Sequence, residues 1–405
     1  MSQTTASQRV YLARQPIYDR RQGVYAYELL YRSATGVGAG DVGREESAAT
    51  LVRAISEIGL DRLVGEKPAF INIPPYLLTD PSIKLLPKER VVLEILETTN
   101  PDPAELEAAA HLQAEGYKLA LDDFVYDTPQ ADFIPFCRFV KVDLVQNDRN
   151  QLPDIVQFLK KARVRTLAEK VETMQVYARC QSLGFDYFQG YYFSKPDLVS
   201  SRGVPAKRSS LLHVLARLQD PKITMDQMEQ VVSTDVNLTY RLLRLVNSAF
   251  MALPEEVTSV RSALMRLGLH RVISMVSLLA MSGASEKSSE LLIIAMVRAK
   301  MCESMALKAQ ANEPEAYFTV GLLSVLEAMF DTPMSEILEQ LPLALPLREA
   351  LSNPECPSQL ARTLRLALSY ESGLWSDLDG SDLDYGSTYL RALDWAEGVK
   401  QSMAA

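Results

Sequence analysis

Asp122 and Asp123 stand side by side at the end of the apolar run Leu119-Ala120-Leu121, with Phe124 directly after them. Two adjacent carboxylates at the end of a buried strand repel each other, and cost free energy unless a metal ion or a cationic side chain neutralises them. A surface turn would carry the same pair in solvent at no cost, so the doublet alone does not decide between ligand and turn. Other polar residues occupy comparable positions: Glu28, Asn72, Glu94, Lys141, Glu169 and Gln189 each lie within or just after a short apolar run. Gathered at one place, they would form a set of hard oxygen donors with a single lysine, which suits Mg²⁺ or Mn²⁺. Such ions polarise phosphoryl oxygens and generate hydroxide, and two of them about 3.5–4 Å apart are a common device for cleaving phosphodiesters. In that chemistry Lys141 would hold a water or a phosphate oxygen, and Glu169 would take a proton.

Positioning these residues requires a regular scaffold, and the surrounding sequence supplies one. Arg90 to Leu96 reads as a strand, and Asp102-Pro103 as the start of a helix that runs to Tyr117 and is stopped by Gly116. The strand ending at the aspartate doublet follows, which makes a βαβ unit. The rhythm continues with a strand at Phe139–Asp143, a helix at Leu152–Ala162, a strand at Arg165–Glu169, a helix at Val171–Leu183 and a strand at Asp186–Phe193. Upstream, Ala26–Tyr31 and Ala69–Ile73 are strand-like. Repeated β/α units over roughly two hundred residues favour a TIM-like (β/α)8 barrel with a parallel sheet, whose carboxyl-terminal strand ends gather polar residues on one face.

Composition narrows the choice of metal and of partner. Three histidines and four well-separated cysteines, with no C-x-x-C, exclude a structural zinc or thiolate site. A net charge of −9 disfavours nucleic-acid binding, so DNA is not an expected partner. No apolar run approaches the roughly 18 residues of a membrane span. The N-terminal Met-Ser-Gln-Thr-Thr-Ala-Ser lacks signal-peptide character, and few, dispersed cysteines fit a reducing compartment. A cytoplasmic protein without a membrane partner is expected.

Taken in order, these residues resemble a known family. Gln15-Pro16-Ile17, Glu28-Leu29-Leu30-Tyr31-Arg32, Asn72, Leu93-Glu94-Ile95-Leu96-Glu97, Asp122-Asp123-Phe124, Lys141-Val142-Asp143, Glu169-Lys170-Val171-Glu172 and Gln189-Gly190-Tyr191 are similar to the ordered motifs of the EAL domain. The resemblance implies a TIM-like barrel that linearises cyclic di-GMP with two Mg²⁺ or Mn²⁺ ions. It implies metal ligation by Glu28, Asn72, Glu94, Asp122, Asp123 and Gln189, with Asp123 between the ions. Lys141 matches the lysine near the attacking water and Glu169 the general base. Gln15 and Arg32 match residues that hold the nucleotide, and Glu97 and Glu172 match positions that brace a catalytic loop. Singly, each has an ordinary structural reading: Arg32 a surface arginine, Gln15 a turn residue, Lys141 an ion pair with Asp143, Asn72 a backbone partner, Glu97 and Glu172 solvated helix-start acids. The shared order of the set favours the functional reading. The sequence departs from the pattern after Phe124, where Val125-Tyr126-Asp127-Thr128-Pro129-Gln130 replaces a glycine-rich loop. Glycine permits φ > 0 and close backbone approach, which valine resists. The resemblance therefore implies a phosphodiesterase, with a catalytically inactive cyclic di-GMP receptor or protein-interaction adaptor as the alternative.

The second half changes character. With residues 1–200 as the barrel domain, 201–210 reads as a polar linker and 211–405 as an all-α domain, with apolar residues at three- and four-residue spacing. Asp235 to Ser248, Ala263 to Arg271 and Phe318 to Leu326 resemble the HDOD module, a relative of the HD metal phosphohydrolases. No His-Asp pair exists in the chain, and its usual place holds Ser324-Val325. The resemblance implies a non-catalytic regulatory or output half that meets an unidentified protein partner. It also admits a homodimer, which no residue of this sequence demands. The acidic stretch Asp377–Asp384 lacks a distal glutamate at calcium-loop spacing and reads as a solvated loop.

Overall fold

A computed structural model describes residues 10–33, 55, 58–190, 206–248, 251, 253–282, 288–330, 332–353, 355–378 and 383–404. The chain divides into two compact units, Met1–Phe193 with Glu371–Gly373, and Ser194–Tyr370 with Leu374–Ala405.

The first unit is a closed barrel of eight strands that neighbour one another in chain order. They are β1 (Val10–Asp19), β2 (Val24–Ser33), β3 (Ala69–Ile73), β4 (Val91–Ile95), β5 (Lys118–Phe124), β6 (Phe139–Asp143), β7 (Arg165–Glu169) and β8 (Tyr187–Phe188). Strands β2 to β8 pair in parallel, whereas β1 runs antiparallel to both β2 and β8. The barrel is thus not wholly parallel. The connection between β1 and β2 is too short for a crossover and can only form a hairpin. Asp19 closes it, its Oδ1 accepting from the backbone N–H of Arg21 at 2.8 Å and of Gly23 at 2.9 Å. Strand β1 escapes sequence reading because Pro16 interrupts its apolar pattern.

Crossover helices α1 (Leu60–Val64), α2 (Pro103–Ala114), α3 (Leu152–Lys161) and α4 (Met174–Leu183) connect parallel strands. Asp102 sits at the N-cap of α2, although its side chain makes no capping hydrogen bond. Helix α4 begins later than the sequence suggests, because Thr173 caps it by accepting from Val176 N at 3.2 Å. Burial on both faces makes β4 and β6 buried at every residue.

The second unit contains twelve helices among the described residues, α5 (Ala206–Leu218) to α16 (Tyr385–Ala404). Helix α5 starts inside the stretch read as a linker, since Ala206-Lys207-Arg208 are strong helix formers; residues 191–205 lie outside those described. Asp235 caps α7 (Val236–Val246) through the N–H groups of Asn237 and Leu238 at 2.9 and 3.0 Å. At the end of α7, Asn247 exchanges two 2.7 Å hydrogen bonds with the backbone of Val257 and ties the return of the chain. Helices α10 (Ser288–Lys308) and α11 (Pro314–Leu323) approach so closely that a Cβ at Gly321 would lie 2.6 Å from Ala299 Cα. Ser324 Oγ accepts from the buried Arg298 at 2.7 Å. His213 and His270 are both exposed. Among the described residues no helix is long and apolar enough to cross a membrane.

Candidate active site

The barrel interior is built in two layers, and strand periodicity relates them. Ile17, Ala26, Phe70, Val92, Ala120, Phe139 and Leu167 form one buried cluster, with Phe70 and Phe139 edge to face at 5.2 Å. Side chains two residues apart on a strand share a face. Two residues beyond each member of this cluster on β2 to β7 stand Glu28, Asn72, Glu94, Asp122, Lys141 and Glu169. On β1, which runs the other way, the corresponding step is backwards, from Ile17 to Gln15. The apolar layer thus supports a polar one nearer the carboxyl-terminal strand ends.

Lys141 holds the centre of the polar layer, 1% exposed. Its Nζ lies 2.7 Å from Asp122 Oδ1, 2.8 Å from Glu94 Oε1, 3.0 Å from Glu169 Oε1 and 3.2 Å from Glu28 Oε2. Gln189 Nε2 donates to Glu28 Oε2 at 2.7 Å and to Gln15 Oε1 at 2.9 Å, and Asn72 Nδ2 donates to Glu28 Oε1 at 3.1 Å. Sequence-expected residues from eight strand regions therefore join one connected cluster. Burial pushes the Glu94 carboxyl well above the ordinary carboxylate range despite Lys141 beside it. Burial, opposed by Lys141 and aided by Asp122 and Glu28, pushes Glu169 up to about 8. Burial also opposes the charge on Lys141, but Asp122, Glu169, Glu28 and Glu94 outweigh it and raise its pKa.

Asp123 is separated from this lysine by backbone geometry. The β5–β6 register shifts between Leu121 and Phe124, a bulge that lets Asp122 and Asp123 point differently. Asp123 has φ 43°, a left-handed conformation that aspartate tolerates better than most residues. Its Oδ1 lies 3.3 Å from Lys170 Nζ, which also pairs closely with the fully buried Asp143. Burial opposes the charge of Asp143, but hydrogen bonds from Lys170, Gln146 and the backbone of Val145 and Gln146 hold its carboxyl below the usual range. Lys141 and Asp143 share one face of β6 but are not partners: the four carboxylates take Lys141, and Lys170 takes Asp143.

The loop after Phe124 turns without glycine. Asp127 supplies the left-handed residue, with φ 64°, and Thr128 Oγ1 donates back to Val125 O at 2.7 Å. Asn147, 5% exposed, fixes the loop from beneath: its Nδ2 donates to Phe124 O and Asp143 O, both at 2.8 Å, and its Oδ1 accepts from Tyr126 N at 2.9 Å. Asn147 and Lys170 were not candidates from sequence, since their partners lie on other strands.

The remaining sequence candidates sit at the margin. Glu97 is exposed, but its backbone carbonyl accepts from loop residue Gln130 at 3.1 Å. Glu172 is exposed and has no polar partner among the described residues. Arg32 pairs through its backbone with Tyr11, and its side chain lies outside what the structure describes.

The donor set fits a hard divalent cation. Asn72 Oδ1, Glu94 Oε2, Glu169 Oε2 and Gln189 Oε1 are buried and accept no hydrogen bond. Glu94 Oε1 and Asp122 Oδ1 lie near the lysine without hydrogen-bond geometry. Orphaned buried oxygens are costly, and a cation would satisfy them. Among the described residues no three acids are already gathered into a metal-holding group; Lys141 stands between them, and one ammonium does not balance four carboxylates.

Comparison with known proteins identifies both halves of the chain. The EAL domain model matches residues 1–196 and the HDOD domain model residues 204–340. The cyclic di-GMP phosphodiesterase CdgJ of Vibrio cholerae is 33% identical over 405 residues, covering 96% of this chain and 93% of CdgJ. Protein YuxH of Bacillus subtilis is 29% identical, over 96% of this chain and 99% of its own length. A solved standalone EAL protein of Vibrio cholerae, in its c-di-GMP-bound form, aligns at 18% identity and a TM-score of 0.39, over 47% of this chain and 93% of that one. Both halves and their order being matched, the chain belongs to the family of proteins that join an EAL domain to an HDOD domain.

Proposed function

We propose that the barrel is a phosphodiesterase that opens cyclic di-GMP to linear pGpG. The observation that carries this reading is the convergence of Glu28, Glu94, Asp122 and Glu169 on Lys141 inside a closed barrel, with unsatisfied amide oxygens from Asn72 and Gln189 beside them. Glu28, Asn72, Glu94, Asp122, Asp123 and Gln189 would hold two Mg²⁺ or Mn²⁺ ions. When bound, such ions polarise the phosphate and acidify water.

The chain's own residues supply the rest. Hydrolysis adds water across one P–O bond: oxygen joins phosphorus, and the ribose oxygen leaves with a proton. Glu169, held next to Lys141, accepts the proton that water gives up. Lys141 orients water or a phosphate oxygen by its charge, and a dry site strengthens that field. Gln15 and Arg32 contact the nucleotide, and Glu97 and Glu172 brace the neighbouring loop. The HDOD half has a regulatory or output role through a protein partner.

A second reading, a receptor that binds cyclic di-GMP without turning it over, is favoured by the glycine-free loop pinned at Asn147. One experiment separates the two: incubation with cyclic di-GMP and Mn²⁺, following binding by calorimetry and linear product by chromatography. Product that vanishes in Glu28→Ala and Glu169→Ala supports the enzyme. Binding without product supports the receptor, and neither binding nor product overturns both.

A further inference from the structure

The helical half holds a cavity of about 270 Å³ that none of the barrel chemistry uses. It is bounded by α7, α9 (Leu269–Ser282), α10, α11 and α16. Its walls are apolar where they are buried, with Leu245, Leu278 and Phe318 each less than a tenth exposed. Phe318 and Trp395 meet edge to face at 5.6 Å, giving the cavity an aromatic side.

Four charged residues also line it, and they are arranged in two ways. Lys300 and Glu303 pair with each other at 2.5 Å, and the Lys300 ammonium lies 5.7 Å from the centre of the Trp395 ring, so these two are satisfied internally. Arg271 and Glu315 are exposed members of the lining, and neither side chain has a hydrogen-bond or ion-pair partner among the described residues. The lining charges cancel: two cations face two anions. A net anion or a net cation would therefore meet as much repulsion as attraction. A neutral molecule with separated charges would meet a guanidinium and a carboxylate that are both free to bind, and an apolar or ring-bearing body would fill the cavity.

We propose that this cavity is a ligand site of the helical half for a small zwitterion of the amino-acid class with an apolar or aromatic side chain, its carboxylate held by Arg271 and its ammonium by Glu315. The site is independent of the barrel reading, and its test does not use cyclic di-GMP. Full-length protein is titrated by calorimetry with L-leucine, L-phenylalanine and L-tryptophan, and with tryptamine and indole-3-propionate, which lack the carboxylate and the ammonium respectively. At least one amino acid is expected to bind, and both analogues to bind at least about tenfold more weakly, the change expected for a lost charge-assisted contact. Arg271→Ala is expected to weaken amino-acid binding about tenfold while leaving tryptamine unchanged, and Glu315→Ala to do the same with indole-3-propionate unchanged. Both positions are exposed, so circular dichroism and melting should match the parent. No binding by any of the three amino acids, binding of an analogue as tight as its amino acid, or binding unaffected by both substitutions would overturn the proposal.

Discussion

The side-chain amide of Asn147 donates to the main-chain carbonyl of Phe124 at 2.8 Å, joining the end of β6 to the residue that follows the aspartate doublet. The same side chain accepts from Tyr126 N, so both ends of its amide hold the loop that leaves the site. A loop without glycine is thereby kept in one path, with Asp127 taking the turn that glycine would otherwise take.

Replacing Asn147 with alanine would leave the buried carbonyl of Phe124 and the N–H of Tyr126 unpaired. Unsatisfied buried groups cost about 1–3 kcal/mol each. Asn147→Ala should lower unfolding free energy by about 2 kcal/mol and turnover by about tenfold, measured by urea unfolding and by product formation. Unchanged turnover with lowered stability would show that the loop path is not needed for chemistry.

Lys141 is the sole cation drawn into contact with Glu28, Glu94, Asp122 and Glu169 among the described residues. Removing one partner of a buried ion pair costs about 3–5 kcal/mol. Lys141→Met should destabilise the protein by that order in chelator, and by less with Mn²⁺ present, as read from urea unfolding in the two conditions.

The raised pKa of Glu169 sets a pH dependence with a definite sign. Its folded-state value of about 8 stands above the ordinary 4.5, so the folded protein binds its proton more tightly than the unfolded chain. That contribution to stability is fully present below the ordinary value and is lost as pH rises through the folded one. Glu94, also raised by burial, acts in the same direction. In chelator, the melting temperature should fall as pH rises from about 5 to about 8, and Mn²⁺ should flatten the slope. Scanning calorimetry across that range with and without metal checks it.

Asp123 tests backbone and ligand roles separately. Its φ of 43° is tolerated by asparagine and strains alanine by about 1 kcal/mol. Asp123→Asn should keep stability and lose activity, whereas Asp123→Ala should lose both, as measured by unfolding and product assays.

Much of this site was legible because it follows a local rule. Strands β3, β6 and β7 are bounded as their apolar runs suggest, and period-2 alternation puts Asn72, Lys141 and Glu169 on the inner face above Phe70, Phe139 and Leu167. What local pattern cannot carry is pairing direction and cross-strand bonding. Strand β1 lies antiparallel because of a tight turn at Asp19, and that reversal is what carries Gln15 to Gln189. Lys170 reaches Asp123 and Asp143 across strands, and Asn147 reaches Phe124 and Tyr126 across loops. The loop turns without a glycine because Asp127 takes the left-handed conformation, which local sequence pattern does not reveal.

The most direct test of the account is product formation from cyclic di-GMP with Mn²⁺ by the parent protein and by Glu169→Gln, with nucleotide binding measured on both. The account predicts linear pGpG from the parent and a fall of about 10²- to 10⁴-fold in the variant, with binding retained. Nucleotide bound but left cyclic by the parent, or product formed equally by both, would contradict it.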